Sequence, residues 1–167
     1  KAKLNSNKNK FIPVSIPHVS REDIKSINKV LKNGWISSDG PEVKIFENKF
    51  SKKVNRKHSI AVSNGTAALE IAIKALGIKK NDEVIIPNFT IISNALAVIK
   101  QNAKPILVDC DLKTWNIKID DIEKNINKKT KAIIITHIYS FTNNMDKILE
   151  ICKKHKIFLI EDAAEVL

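Results

Sequence analysis

Between an apolar run and a helical pattern lies Ser63-Asn64-Gly65-Thr66-Ala67-Ala68-Leu69, a stretch of small residues. Such a turn presents free backbone amides, a hydroxyl and the positive end of a helix dipole, and together these bind a phosphate. An ordinary Asn-Gly turn with Thr66 as a cap would carry the same residues, so local sequence leaves both readings open. The segment is not a Walker loop, because it lacks Gly-Lys-Ser/Thr, and it is not the spaced triple-glycine dinucleotide fingerprint. The phosphate reading expects the amides of Thr66 and Ala67 to be free of intrachain partners, and capping of these amides by side chains counts against it.

Three other places carry candidate chemistry. Pro87-Asn88-Phe89-Thr90 follows an apolar run and sets an aromatic at its end. Phe89 there is either a stacking surface for a planar ligand or a packing residue against a neighbouring helix. Glu161-Asp162-Ala163-Ala164-Glu165 ends the last apolar run with three acids. A buried carboxylate needs a cationic or hydrogen-bonding partner, whereas a solvated one does not, and Asp162 points to the opposite side of the strand from Glu161. His137 and Tyr139, after another apolar run, are either polar site residues or satisfied structural ones.

The elements that position these groups alternate. Short apolar runs over 59–62, 83–86, 105–108, 131–135 and 157–160 read as strands, and amphipathic segments over 66–76, 90–101, 119–126 and 145–155 read as helices. Ahead of them, Ser20-Arg21-Glu22-Asp23 begins a helix over 21–33 that Gly34 ends, and Pro41 opens a second over 41–54. Strands alternating with helices build a mainly parallel sheet covered on both faces, so the fold class is α/β, a three-layer αβα arrangement. Ligands in such sheets sit beyond the carboxyl ends of the strands, where all four candidate segments fall. Residues 1–11, with four lysines and three asparagines in the first ten, read as a flexible basic arm; residues 12–167 read as domain.

The composition excludes several classes. The chain has 167 residues, 43% of them hydrophobic and 28% charged, with no apolar stretch near the roughly 18 residues that span a bilayer, and no signal pattern at its start. A soluble, cytoplasmic protein is expected. The net charge of +11 invites a nucleic-acid reading, but of 29 basic residues only Arg21 and Arg56 are arginine, and the lysines are scattered among carboxylates. No nucleic-acid partner is expected. Cys110 and Cys152 have no companions at metal spacing, so no metal is expected, and buried, inert thiols are the expectation.

In chain order, Gly34-Trp35-Ile36-Ser37-Ser38, Val62-Ser63-Asn64-Gly65-Thr66-Ala67-Ala68-Leu69, Asp82-Glu83-Val84-Ile85-Ile86-Pro87, Val108-Asp109-Cys110-Asp111 and Ile160-Glu161-Asp162-Ala163-Ala164-Glu165 resemble the DegT/DnrJ/EryC1/StrS aminotransferases. The likeness runs from about Ile12 to the last residue and looks nearest to the perosamine synthetase branch. It implies fold type I pyridoxal-phosphate enzymes that aminate nucleotide-linked keto-sugars for surface polysaccharide, drawing on an amino donor such as glutamate and working as homodimers. It also implies roles: Asn64, Gly65 and Thr66 around the cofactor phosphate, Phe89 stacked on the pyridine ring, Asp162 paired with the protonated ring nitrogen, and Glu165 near the ring hydroxyl. His137-Ile138-Tyr139-Ser140-Phe141 departs from the family's Tyr-Gly pair by placing Ser140 at the glycine.

The family's Schiff-base lysine lies beyond the Asp-Ala-Ala segment, and no lysine here matches it. Transamination needs that amine twice, as covalent anchor and as the base that moves the proton. The chain is therefore expected to be the N-terminal part of the large domain, without the lysine or the small C-terminal domain, and inactive alone. A catalytically inactive relative serving as an interaction module and a basic nucleotide-binding α/β domain are the alternatives.

Overall fold

The computed structural model describes residues 11–13 and 16–166, so all but the last residue of the arm expected over residues 1–11 lies outside the described residues. The chain divides into two compact units, one ending at Ser59 and the other beginning at Ile60. The first unit holds helices α1 (Arg21–Lys32) and α2 (Pro41–Lys53). Ser20 and Asp23 cap α1 reciprocally: the Asp23 amide donates to Ser20 Oγ at 3.1 Å and the Ser20 amide donates to the Asp23 carboxylate at 2.8 Å. Those bonds hold the Asp23 carboxyl below its ordinary range. On α2, the rings of Phe46 and Phe50, one helical turn apart, pack with centroids 5.7 Å apart.

The second unit alternates as the sequence predicts: α3 (Gly65–Ala75), β1 (Glu83–Pro87), α4 (Ser93–Ile99), β2 (Lys104–Val108), α5 (Ile119–Ile122), β3 (Thr130–Thr136), α6 (Met145–His155) and β4 (Phe158–Asp162). The four strands form one parallel sheet in the order β2-β1-β3-β4. Alternate residues face opposite layers. Val84, Ile86, Ala132 and Ile134 pack against Leu69 and Ile73 of α3 and Ala97 and Val98 of α4. Ile85, Ile133 and Ile135 pack against Ile122 of α5 and Ile148 and Ile151 of α6. Each fully buried isoleucine contributes about 1.5–3 kcal/mol of burial free energy, so the two layers hold the sheet from both sides. Gly77, at φ +71°, takes the left-handed conformation that stops α3, as expected.

Three expectations change, the first being that the helix expected over 119–126 is α-helical only over Ile119–Ile122 and tightens into a 3-10 turn over Glu123–Asn125. The segment 59–62 joins no ladder with any described strand, since a strand forms only where another backbone supplies the bonds. The helix expected over 90–101 spans only Ser93–Ile99, because the side chain of Thr90 bonds Thr136 and Asn94 instead of beginning a helical turn. Both cysteines are free; burial pushes the Cys152 thiol up, as an inert thiol requires, whereas Cys110 is only half-buried. Among the described residues no helix is long and apolar enough to cross a membrane, and no cluster of side chains suits a metal.

Candidate functional site

The carboxyl ends of β1, β3 and β4 converge on a cleft of about 290 Å³, lined by Phe89, Thr90, Ile91, Ile138, Tyr139 and Glu165. Phe89 follows the end of β1, with 40% of its surface exposed, and its ring meets Trp115 at a centroid distance of 5.2 Å and an angle of 50°. The loop after β3 carries Tyr139 and Ser140, both with positive φ (47° and 68°). Its turn is fastened to the loop after β4: the Tyr139 amide donates to the Glu165 carboxylate, and Ser140 Oγ donates to the Glu165 carbonyl at 3.0 Å. Ser140 thus occupies a conformation that glycine takes freely, with a side-chain bond that glycine could not make.

The α3 turn lies at the same edge. Asn64 is its N-cap, and its side chain accepts the Ala67 amide at 2.9 Å, so the expectation that this amide is free does not hold. The amides of Gly65 and Thr66 have no hydrogen-bond partner among the described residues. Gly65 is exposed, with open space beside its Cα, and Thr66 is half-buried. Thr66 Oγ1 lies 2.8 Å from Ser93 Oγ, tying the start of α3 to the start of α4.

Strand alternation separates the two acids at the end of β4. Ile160 packs with the α3 and α4 layer, so Asp162, two residues on, shares that face. Its carboxylate accepts the Ala164 amide at 3.3 Å. Glu161 faces the other layer and pairs at 2.9 Å with Nε2 of His137, which is 2% exposed. The Asn143 amide donates to His137 Nδ1 at 3.1 Å, so the ring proton resides on Nε2, where it is donated to Glu161. His137 is thereby a satisfied structural residue, whereas Tyr139 lines the cleft. Phe89 and Glu165 meet in the cleft. Among the described residues no hydrogen bond or ion pair joins Asp162 to Phe89 or to the α3 turn.

Two residues escaped the sequence reading. Trp115 and Asn116 belong to a tight loop after β2, in which the Asp111 carboxylate accepts the amides of Lys113 (2.9 Å) and Thr114 (3.0 Å). The Thr114 bond first, and the Lys113 bond next, hold the Asp111 carboxyl below its ordinary range. Asn116, 4% exposed, donates from Nδ2 to the Phe141 carbonyl (2.8 Å) and accepts the Ile138 amide at Oδ1 (3.1 Å), so it secures both ends of the Tyr139 turn. The signal was an Asp followed three residues later by Thr, which marks a side-chain-stapled turn.

A parallel sheet covered on both faces, with its cleft and helix start at the carboxyl edge, is an α/β architecture that this chain shares with aminotransferases of solved structure. The aminotransferase from Psychrobacter cryohalolentis superposes with a TM-score of 0.84 at 32% identity, over 93% of this chain and 40% of that one. A GDP-4-keto-6-deoxymannose-3-dehydratase with a trapped PLP-glutamate geminal diamine gives 0.87 at 28% identity, over 93% of this chain and 42% of that one. The family model of the DegT/DnrJ/EryC1/StrS aminotransferases matches residues 17–167, and the chain belongs to that PLP-dependent family. GDP-perosamine synthase of Escherichia coli O157:H7 is 42% identical over 156 residues, 93% of this chain and 43% of that protein. The chain thus spans less than half the length of these relatives.

Proposed function

We propose that the protein to which this chain corresponds transfers an amino group from a donor such as glutamate to a nucleotide-linked keto-sugar. The particular acceptor we propose is a GDP-linked 4-keto-6-deoxy sugar, giving a perosamine-like amino sugar for surface polysaccharide. In this reading residues 12–167 are part of the pyridoxal-phosphate domain of a cytoplasmic homodimer. The likeness to GDP-perosamine synthase supports the choice of sugar.

The carrying observation is the placement of Asp162 on the same sheet face as the α3 turn, with Glu161 turned away and occupied by His137. The residues suit the cofactor: two unpartnered amides at the start of an 11-residue helix, an exposed Gly65, a half-exposed aromatic and a carboxylate at one sheet edge. Bound there, pyridoxal phosphate supplies an electron sink and a carrier for the amino group. The amides of Gly65 and Thr66 bind the phosphate, and Asn64 shapes their turn by capping it. Phe89 orients the ring by stacking. Asp162 would hold a proton at the ring nitrogen, and Glu165, fixed by the Tyr139 amide, would serve the ring hydroxyl. The test is to incubate the full-length protein with pyridoxal phosphate, glutamate and the GDP-linked keto-sugar, following the sugar by mass spectrometry and 2-oxoglutarate by coupled assay. An amino-sugar nucleotide is expected. Oxoglutarate formed only with a keto-sugar on a different nucleotide would overturn the choice of acceptor, and none with any keto-sugar would overturn the function.

A further inference from the structure

We infer that Trp115 is a positioning residue that sets the plane of the Phe89 ring; the inference rests on the reading of Phe89 as the cofactor's stacking surface. Phe89 sits in a loop and is 40% exposed, so little of the core restrains its side chain. Among the described residues its only ring partner is Trp115, tilted by 50° at 5.2 Å. That geometry is the attractive one for two aromatic quadrupoles, and it closes one side of the Phe89 ring against rotation. Phe89 also lines the cleft that Ile138, Tyr139 and Glu165 complete.

Trp115 reaches this position by an unfavourable route. Its φ is +61°, in the left-handed region that a bulky L residue rarely enters. The surrounding bonds leave it little alternative. Its amide donates to the Asp111 carbonyl at 2.8 Å, and the Asp111 amide donates to the Asn116 carbonyl at 2.8 Å. The Asp111 carboxylate staples the preceding amides, and Asn116, the next residue, is locked to Ile138 and Phe141. A strained residue over-determined on both sides points to a use for its side chain. The indole is 48% exposed and fills no core, and among the described residues its one ring contact is with Phe89. The loops after β1, β2 and β3 are thereby joined into a single frame around the cleft.

The experiment measures pyridoxal-phosphate affinity of the full-length protein by equilibrium dialysis, together with the visible circular dichroism of the bound cofactor, which reports ring tilt. The variants are Phe89→Leu, Trp115→Phe, Trp115→Ala and the double variant Phe89→Leu/Trp115→Ala. Losing one aromatic pair should weaken binding about fivefold in Trp115→Ala and reduce the dichroic band, while Trp115→Phe restores both. In the Phe89→Leu background, Trp115→Ala should add nothing, because its effect passes through the missing ring. If thermal melting shows that the alanine collapses the turn, Trp115→Leu, which keeps bulk but no ring, carries the same expectation. Additive losses, or unchanged affinity and dichroism in the Trp115 variants beside a weakened Phe89→Leu, would overturn the inference alone. Normal binding by Phe89→Leu would instead overturn the stacking reading on which it rests.

Discussion

Asn116→Ala isolates what one buried amide contributes to the cleft. The asparagine bridges two backbone groups: the Ile138 amide, which donates to Oδ1 at 3.1 Å in a buried position, and the Phe141 carbonyl, which accepts from Nδ2 at 2.8 Å nearer the surface. Alanine removes both partners and supplies none. An orphaned buried amide costs about 1–3 kcal/mol, and the outer carbonyl, which water can reach, only a fraction of that, so the loss should be about 2–3 kcal/mol. For a cooperative unit of 150–250 residues each kcal/mol shifts Tm by about 2–4 °C, which predicts a fall of roughly 5–10 °C. Calorimetry on the protein and its variant measures that shift, and hydrogen exchange at the Ile138 amide locates it. Exchange there should accelerate while amides within β3 stay protected. A Tm within about 1 °C of the parent, or unaltered exchange at Ile138, would refute the reasoning, because the Tyr139 turn would then be held without Asn116.

Asp162→Asn in the full-length enzyme should keep the fold and lose most turnover. Glu161→Gln should matter much less, since a glutamine oxygen still accepts the His137 Nε2 proton; steady-state kinetics of both variants decide, and equal losses would contradict the separation of the two acids by sheet face. Ser140→Ala should lower stability by about 1 kcal/mol, the worth of the bond to Glu165, while Ser140→Gly should come within about 0.5 kcal/mol of the parent because relief of the positive φ offsets that loss; denaturant midpoints test the order. Asp111, whose carboxyl is held below its ordinary 3.8 by the Thr114 and Lys113 amides, binds protons less readily folded than unfolded. Its contribution is therefore complete above pH 3.8 and is lost as pH falls through the lower folded value, so the Tm gap between the parent and Asp111→Asn should narrow from pH 6 toward pH 3. A gap that stays constant would mean that the staple does not depend on the charge.

The strand and helix pattern was legible because burial enforces it. Val84, Ile86, Ala132 and Ile134 belong to one packed layer and Ile85, Ile133 and Ile135 to the other, so β1 and β3 read as continuous apolar runs and declare themselves parallel and covered. Helix α6 matched its expected bounds for the same reason, with Ile148, Ile151 and Cys152 at helical spacing. The segment 59–62 misled because an extended apolar run does not say which backbone it pairs with. The short α4 misled because periodicity does not show the hydroxyl network that draws Thr90 and Asn94 away from a longer helix.

At the site the division is sharper. Residue type and position marked Phe89, Asp162 and the segment opening α3 as candidates without deciding between a site role and a structural one, because a parallel sheet places the carboxyl ends of its strands at one edge. What stayed hidden was the set of bonds between groups remote in sequence: Asn116 with Ile138 and Phe141, Glu165 with Tyr139, Glu161 with His137. The same distinction explains why Ser140 can stand where the family pattern has glycine. A left-handed turn would ordinarily exclude serine, yet its hydroxyl donates to the Glu165 carbonyl, a partner that only the arrival of the loop after β4 provides. The turn is therefore a tertiary feature rather than a local one, and its tolerance of serine depends on β4 being paired to β3 in the observed register, Thr136 opposite Asp162.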